Sequence, residues 1–363
     1  MRPASYGVSK RRIWRSVQIS QCGTPYNIRQ GSVMQMLRKR VGIIAATAVV
    51  ALSLAACNRG VSNTGGASGG ASGGKTPYIG IVSKGFSQTF WQAVKKGAET
   101  EAKKEGARIT FEGPPTESDV EQQITMLTNV LAKHPDAIGF AALDNKAAAP
   151  LMQQAKTAKI PVIAFDSGVQ SDVPVTTAAT DNKAAAAADA MHLSALLGGK
   201  GLVGMVIHDQ TSNSGLDRRT GFIDWMKKNA PGITLLPPQY SNSDLAKAAD
   251  ITKAMIAANA NLAGIYGSNE ASAEGVAKGI QESGKKGLKA VGFDSGQAQT
   301  DAIKDGTLAG AITQNPIAIG QEVVIAAMKA IHGVAQPKFI NTGFYWYDTT
   351  NINNPKIQAL LYK

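Results

Sequence analysis

The chain has 363 residues and a formal net charge of +12, from 38 lysine and arginine residues against 26 aspartate and glutamate residues. Such a balance suggests a nucleic-acid partner until the charge is located along the chain. Nine of the basic residues and none of the acidic ones precede Cys57, so the remainder, with 29 bases and 26 acids, is nearly neutral. The apolar content of 44% is ample for one large or two medium cores, and two cysteines are too few for a disulfide framework or a cysteine-based zinc site. We therefore expect a globular chain with no nucleic-acid partner.

The N-terminal segment has the organisation of an export signal. Three basic residues, 38–40, precede an uncharged run from Val41 to Ala56, which ends in small residues directly before Cys57. This order predicts a secretory signal peptide over residues 1–56. The sequence Leu-Ala-Ala-Cys resembles a bacterial lipoprotein box, in which the cysteine is acylated and becomes the mature N-terminus. An ordinary secretory signal is the alternative.

Two further features concern the predicted signal peptide and lipid anchor. Residues 1–33 do not fit a compact positive region, whereas a translation start at Met34 or Met36 gives a signal of ordinary length. Residues 57–76 contain Gly-Gly pairs separated by Ala-Ser, a composition that cannot bury a core and behaves as a flexible coil. We expect a domain that is lipid-anchored at Cys57 and held on the extracytoplasmic side of the cell membrane.

From Pro77 onward, short apolar runs alternate with amphipathic segments, a pattern that predicts βαβ units around parallel sheets. The near-continuous apolar character of the strands indicates burial on both faces. At about 290 residues, this part approaches the size at which a single core stops growing, so we expect an α/β protein of two Rossmann-like lobes. The predicted strands are 78–82, 107–112, 136–141, 161–165, 202–207, 262–266, 288–293 and 308–313. The predicted helices are 89–105, 117–133, 147–158, 182–197, 215–229, 244–259, 270–283 and 316–332.

The same four-residue motif follows one strand in each predicted lobe. Asp166, in a segment FDSG, ends one apolar strand, and Asp294, in a second FDSG, ends another strand 128 residues later. In open α/β sheets, ligands bind at the carboxyl ends of the strands, so the two aspartates are expected to face each other across a cleft. The alternative is a plain turn or helix cap at each position, because Asp-Ser-Gly is favourable turn chemistry.

Paired Asp-Ser-Gly motifs also suggest an aspartic protease, in which two carboxylates share a proton. That class is built from strands with alternating polarity, whereas the segments from Asn182 and from Glu270 have helical patterning. The histidines lack the spacing of metal ligands, residues 198–201 lack the spacing of a P-loop, and no Gly-x-Ser-x-Gly elbow is present. The sequence therefore predicts neither an enzyme nor a metal or cofactor site.

Other strand ends carry aromatic and planar polar residues. The loop after the first strand leads into Phe90 and Trp91, in a chain with only 6% aromatic residues. Rings at this edge can lie against the apolar face of a sugar, although the core face of the following helix is their alternative place. Planar polar side chains, which can engage two neighbouring hydroxyl groups, follow three further strands. They are Arg218, Asn269 and Gln314.

Seven segments in combination carry a family resemblance: VSKGFSQTFWQAVKKGAE, IPVIAFDS, TAATDN, DRRTGF, GSNEASAEGV, VGFDS and AITQNP. With them, the chain from about Tyr78 to Asp348 resembles the ribose-type sugar-binding proteins of bacterial ABC importers. That resemblance implies the type I periplasmic-binding-protein fold, two Rossmann-like lobes joined by a three-crossover hinge. It implies an N-terminal lobe of residues 77–180 plus 315–346 and a C-terminal lobe of residues 181–314 plus 347–363.

The resemblance also implies a ligand-binding set. An aromatic clamp falls on Phe90 and Trp91, and the polar contacts fall on Asp166, Arg218, Asn269, Asp294 and Gln314.

The chain departs from the ribose binders in this set. Ser167 stands where they have arginine, and Ser243 stands near the place of their third aromatic ring. The first loop is one residue longer, and Lys84 and Phe86 are candidates to replace the lost arginine and ring. Gln88 completes the predicted set. Ribose itself is therefore disfavoured, and another pentose, a hexose, a polyol or a different small polar solute remains open.

We expect a monomeric substrate-binding lipoprotein that closes around a monosaccharide or polyol and delivers it to the permease and ATPase subunits of an ABC importer. The alternative is a ligand-presenting partner of a chemoreceptor or sensor kinase, which would use the same closed surface. A repressor with this core would need a helix-turn-helix where the chain has its apolar run and Gly-Ser tract. Residues 344–347 are predicted to form an edge strand and the third crossover, with a ring that reaches the cleft as the alternative.

Overall fold

The computed structural model describes residues 75–362; the predicted signal peptide, Cys57 and most of the predicted linker lie outside the described residues. Strands and helices alternate along most of this range. The strands are β1 Tyr78–Val82, β2 Arg108–Glu112, β3 Ala137–Phe140, β4 Val162–Phe165, β5 Thr176–Ala179, β6 Lys200–Ile207, β7 Gly232–Leu235, β8 Gln239–Tyr240, β9 Leu262–Gly267, β10 Lys289–Phe293, β11 Gly310–Gln314, β12 Phe339–Asn341 and β13 Phe344–Tyr347. The helices are α1 Thr89–Glu105, α2 Val120–Ala132, α3 Ala149–Thr157, α4 Asn182–Leu196, α5 Asn213–Asn229, α6 Leu245–Ala258, α7 Glu270–Ser283, α8 Gln297–Lys304, α9 Pro316–Ile331 and α10 Pro355–Gln358.

These strands form two sheets. The first has the order β12-β5-β4-β3-β1-β2, and all its pairings are parallel. The second has the order β13-β11-β10-β9-β6-β7, with β8 paired to β6, and only the β13–β11 pairing is antiparallel. Central strands such as β1 are buried at every position, because helices cover both faces of each sheet.

Each sheet with its helices forms one lobe with its own core. In the first lobe, α1 and α9 pack closely because Gly97 and Gly320 let their backbones approach. A Cβ atom at Gly320 would overlap the carbonyl oxygen of Val94, and one at Gly97 would overlap that of Ile317. Within residues 75–362, no helix is both long enough and apolar enough to cross a bilayer.

The chain passes between the sheets three times: after β5, after β11, and between β12 and β13. The predicted architecture of two lobes and three crossovers is therefore confirmed. The predicted boundary after residue 346 is wrong, because Phe344–Tyr347 pairs with Gly310–Gln314 in the second sheet. The crossover lies at residues 342–343, where Gly343 takes the left-handed conformation, with φ of 82°, and turns the chain.

The sequence predicts that residues 347–363 lie in the second lobe, but the last described residue, Tyr362, packs in the first. Ile352 and Ile357 lie in the core of the second lobe. Tyr362, however, packs in the core of the first lobe, with its ring 6.0 Å from that of Phe90. Its hydroxyl oxygen accepts a hydrogen bond from the backbone N–H of Ser295, at 3.1 Å, in the second lobe. The chain end therefore joins the two lobes, because its buried ring and its polar hydroxyl find partners on opposite sides.

Candidate ligand-binding site

A small cavity lies between the lobes, where the carboxyl ends of both sheets meet. Every predicted ligand residue except Phe86 lines it, and three residues that were not predicted join them. The free space is about 10 Å³, roughly the volume needed for one water. Lys84, Gln88, Phe90, Trp91, Glu117 and Asp166 come from the first lobe, and His208, Ser214, Arg218, Asn269, Asp294 and Gln314 from the second.

The two FDSG aspartates have matching backbone geometry. Asp166 has φ of 52° and Asp294 has φ of 83°, in the left-handed region that side chains other than glycine avoid. The N–H of Asp166 donates to the carbonyl of Ala178, and that of Asp294 donates to the carbonyl of Ile312. Each aspartate therefore adds one backbone hydrogen bond to its sheet, and the chain turns sharply at that residue. Such strained positions concentrate at functional sites.

Within residues 75–362, no group donates a hydrogen bond to the carboxylate of Asp166 or to Oε1 of Gln314, which both belong to residues that line the cavity. Asp166 is 4% exposed as a residue, and no described residue donates a hydrogen bond to its carboxylate. Burial raises the pKa of Asp166 to about 6, although Lys84 and Arg218 oppose this change. Among the described residues, Oε1 of Gln314 is likewise buried without a partner, while its Nε2 donates to Asp294 at 2.7 Å. Buried acceptors without donors are costly, so this pair favours a ligand that donates hydrogen bonds.

Arg218 is held rigidly by its own lobe. Its Nε donates to Oδ1 of Asn182 at 2.7 Å, and its Nη1 donates to the carbonyl of Ser268 at 2.9 Å. The guanidinium group lies 3.7 Å from the centre of the Phe293 ring, and Nη1 lies 3.8 Å from Oδ2 of Asp294. Because these contacts fix its orientation, Arg218 presents its charge to the cavity with little entropy left to lose on binding.

The aromatic residues divide between the core and the cavity. Phe90 and Trp91 begin α1, with ring centroids 4.9 Å apart in an edge-to-face arrangement, and both lie in the first-lobe core while also lining the cavity. The two rings therefore occupy the core face of the helix that the sequence offers as one alternative, and contact with a sugar stays a prediction. Phe86 is not among the residues that line the cavity, and its ring lies 6.4 Å from that of Phe111. Phe111 offers it an apolar contact at the edge strand β2.

Lys84 crosses the cleft. Its Nζ donates to Oγ of Ser214 at 3.2 Å and lies 3.7 Å from Oδ2 of Asp209, both in the second lobe. It also lies 3.8 Å from Oε2 of Glu117 in its own lobe. Burial opposes its charge, but these two carboxylates raise the pKa of Lys84 above its ordinary value. The cavity therefore contains a charged ammonium group that contacts both lobes.

A model of the periplasmic binding protein domain matches residues 79–334 of this sequence. The chain belongs to the periplasmic binding protein family. The D-allose-binding periplasmic protein of Escherichia coli K12 is 30% identical over 252 residues, which cover 66% of this chain and 80% of that protein. This family consists of extracytoplasmic solute-binding proteins for transport, not enzymes.

Solved structures agree with this assignment. An ABC transporter solute-binding protein from Agrobacterium vitis with bound D-fucose is 35% identical, with a TM-score of 0.76, over 78% of this chain and all of that one. A second protein from Agrobacterium vitis, with bound α-D-tagatopyranose, is 33% identical with a TM-score of 0.76, over 79% of this chain and all of that one. The resemblance to ribose-type sugar-binding proteins of ABC importers is therefore confirmed.

This periplasmic binding protein has a polar bridge between Glu117 of the first lobe and Ser243 of the second. Glu117, in the loop after β2, accepts hydrogen bonds from Nε1 of Trp91 at 2.6 Å and from Oγ of Ser243 at 2.7 Å. Nδ2 of Asn269 lies 3.4 Å from the same carboxylate. Sequence reasoning missed Glu117, although its place beyond the carboxyl end of a parallel strand is the same signal that found Asp166.

The remaining candidates have supporting positions. None of the aromatic residues 344–347 lines the cavity, but the hydroxyl of Tyr347 donates to the backbone carbonyl of Asp294 at 2.8 Å. His208 is buried, its Nδ1 lies 2.8 Å from Oγ of Ser268, and burial lowers its pKa well below the ordinary value. It therefore lines the cavity in its neutral form. Among residues 75–362, no group of histidine, cysteine and acidic side chains is placed to hold a metal ion.

Proposed function

We propose that this protein captures a monosaccharide or a related polyol between its lobes and delivers it to the permease of an ABC importer. The observation that carries the proposal is that no described residue donates a hydrogen bond to the carboxylate of Asp166 or to Oε1 of Gln314, in a cavity built by both lobes. The sugars bound in related structures support the same class of ligand.

The cavity chemistry fits a ligand that carries several hydroxyl groups. Each hydroxyl both donates and accepts, so it can bond a carboxylate with its hydrogen and a cationic or amide group with its oxygen. Asp166 and Asp294 supply acceptors, while Lys84, Arg218 and Asn269 supply donors. Micromolar affinity needs about 8 kcal/mol. A few hydrogen bonds to charged groups, at about 1.5–3 kcal/mol each, supply this after the costs of ordering.

Binding requires motion of the lobes. The free space in the closed cleft is far smaller than a monosaccharide, so the ligand enters an open form. Closure then follows because residues of both lobes contact the ligand together only in the closed form, which shifts the population toward it. Hydroxyl groups of the ligand can accept hydrogen bonds from the ammonium group of Lys84, which contacts both lobes.

The bridge between Glu117 and Ser243 bears on which sugar is bound. The carboxylate of Glu117 is buried and already accepts hydrogen bonds from Trp91 and from Ser243. A ligand hydroxyl can bond the oxygen lone pairs that remain. We therefore favour a ligand with a hydroxyl on that side over ribose.

The anchor and oligomeric state belong to the same proposal. Cleavage before Cys57 and acylation of its thiol would tether a monomer to the outer side of the cell membrane. The Cys57→Ser variant is expected to leave the membrane fraction and enter the soluble fraction, while the wild-type protein stays with the membranes. Equal partitioning of the two would overturn the lipid anchor without affecting the binding proposal.

A thermal-shift screen of the ligand-free protein against pentoses, hexoses and polyols tests the function. A tight ligand raises the melting temperature through mass action, by an amount that grows with its concentration relative to the dissociation constant. We expect a rise with at least one neutral polyhydroxylated compound and a smaller rise in the Asp166→Asn variant at the same concentration. If only a different class of solute stabilises the protein, the proposed ligand class is wrong.

A further inference from the structure

Helix α1, which carries the aromatic clamp, has no side-chain cap from its own lobe. Its N-cap residue, Gln88, makes no capping hydrogen bond. The first N–H groups of any helix lack acceptors within the helix, and an Asp, Asn, Ser or Thr normally supplies them. Helices α2, α4, α5, α6, α7 and α9 have such caps: Asp119, Asp181, Ser212, Asp244, Asn269 and Asn315.

The missing acceptors come from Glu270, the first residue of α7 in the other lobe. Its Oε1 accepts hydrogen bonds from the N–H of Thr89 at 3.0 Å and from the hydroxyl of Thr89 at 2.7 Å. Its Oε2 accepts from the N–H of Phe90 at 2.9 Å. Glu270 is 5% exposed. A carboxylate at this end also interacts favourably with the helix dipole.

The same residue is bonded to the ligand site in its own lobe. The backbone N–H of Glu270 donates to Oδ2 of Asp294 at 3.0 Å, and Gln314 donates to the other oxygen of Asp294. A continuous line of hydrogen bonds thus runs from Asp294 through Glu270 to Thr89 and Phe90. These hydrogen bonds connect Asp294 in the second lobe with the start of α1 in the first lobe.

We propose that Glu270 is a closure latch: it caps α1 across the cleft only when the lobes are closed, and thereby positions Phe90 and Trp91 and slows ligand release. This inference rests on the proposed function, because it concerns the closure of the same site. Glu270 acts through α1 and Asp294, so it is a positioning residue and not a ligand contact. When the lobes separate, α1 loses three hydrogen bonds at once.

Protonation is linked to the latch. Burial raises the pKa of Glu270 to about 7, the hydrogen bond from Thr89 opposes this, and the charges of Asp294 and Glu274 add to the rise. Tyr362, which packs on Phe90, also faces this group, and burial keeps it neutral by raising its pKa well above the ordinary value. Separation of the lobes exposes the carboxylate and returns its pKa toward the ordinary value.

The sign of the pH dependence follows from this difference. A group whose pKa is higher in the closed form favours closure at low pH and loses that contribution as the pH rises through about 7. Release is therefore expected to be slower at pH 6 than at pH 8. Asp166 and Glu274, whose pKa values burial raises to about 6 and about 7, act in the same direction. In the Glu270→Ala variant, only the part of this pH dependence that comes from Asp166 and Glu274 should remain.

Release rates of D-allose, D-fucose and D-tagatose from stopped-flow measurements test the latch. In Glu270→Ala, we expect release about 10- to 100-fold faster than in the wild-type protein, because a cap and hydrogen bonds to a charge are lost. Thr89→Val, which removes only the hydroxyl donor, should act in the same direction to a smaller extent. The control is Glu282→Gln, which removes a charge near the other end of α7, where the carboxylate pairs with Lys253 at 2.8 Å. Wild-type release rates in both Glu270→Ala and Thr89→Val would overturn the proposal.

A second measurement separates failure of the latch from failure of the sugar proposal. Nitroxide labels are attached to cysteines placed at exposed Lys103 and Lys278, with both native cysteines replaced by serine. Double electron–electron resonance then measures the distance between the lobes without any ligand. We expect Glu270→Ala to have a smaller closed population than the wild-type protein. If none of the three sugars binds the wild-type protein, the sugar proposal fails while this comparison still tests the latch. Identical distance distributions would then overturn the latch itself.

Discussion

Asp166→Asn is expected to stabilise the ligand-free protein while it weakens ligand binding. The carboxylate of Asp166 is buried, and no described residue donates a hydrogen bond to it. Burial raises its pKa from 3.8 to about 6 in the folded protein. This difference corresponds to about 3 kcal/mol of stability, present below pH 3.8 and lost as the pH rises through 6. At pH 7 the asparagine variant avoids this penalty, so its gain is up to about 3 kcal/mol, less the cost of burying the amide.

The effect on binding has the opposite sign. In the proposed complex, Asp166 accepts hydrogen bonds from ligand hydroxyl groups, and each such bond to a charged acceptor contributes about 1.5–3 kcal/mol. Loss of the charge is expected to raise the dissociation constant by about 10- to 100-fold. A buried aspartate outside the cavity would give the gain in stability without this loss of affinity.

Denaturant unfolding of the ligand-free protein at pH 5 and pH 8, together with calorimetric titration of the sugar, measures both effects. The stability gain should be larger at pH 8, where the wild-type carboxyl group is ionised. Asp189→Asn is the matched control: its carboxyl oxygens are also buried without partners in the described structure, its pKa is raised well above the ordinary value by burial, and it does not line the cavity. It should bind like the wild-type protein. An Asp166→Asn variant with wild-type affinity, or with lower stability at pH 8, would refute the reasoning.

Three further substitutions test separate parts of the structure. Lys84→Met should weaken ligand binding at least tenfold in calorimetry, because it removes the ammonium group that contacts both lobes; wild-type affinity would show that this bridge has no role. Trp91→Phe keeps an aromatic ring but removes the indole N–H that donates to Glu117 at 2.6 Å, so we expect roughly tenfold weaker binding in the same assay. An unchanged dissociation constant would show that this hydrogen bond to Glu117 has no role in binding. Gly320→Ala should lower the unfolding free energy by about 1–3 kcal/mol in denaturant, because a Cβ atom overlaps the carbonyl of Val94, and a wild-type midpoint would contradict the close packing of α1 and α9.

Much of the fold is predictable because its long elements have strong local patterns. The helices Thr89–Glu105 and Glu270–Ser283 begin and end where the apolar periodicity predicts, and β1 does too. The short elements are not predictable in this way. Thr176–Ala179 has a weak apolar signal and exists as a strand because it pairs with β4 and β12 on its two sides. Helix α8, with eight residues and mostly polar sequence, was missed for the same reason.

The candidate site shows the same division between local and tertiary information. The rule that ligands bind at strand ends places Asp166 and Asp294 in the cavity, because strand order and polarity are local features of the sequence. Glu117 lies on a loop after a half-exposed strand, and its role depends on the approach of Ser243 from the other lobe. Phe86 has the residue type expected of a site ring, but it finds apolar surface on Phe111 instead. Contacts between lobes are not encoded in any local pattern.

A crystal structure of the protein with the sugar that stabilises it most tests the central claim directly. We expect the ligand to lie between the two sheets, with its hydroxyl groups bonded to Asp166 of the first lobe and to Arg218 and Asp294 of the second. The ring of Trp91 should lie against the apolar side of the sugar. A sugar bound outside this cavity, or bound in it without any contact to Asp166, would contradict the account.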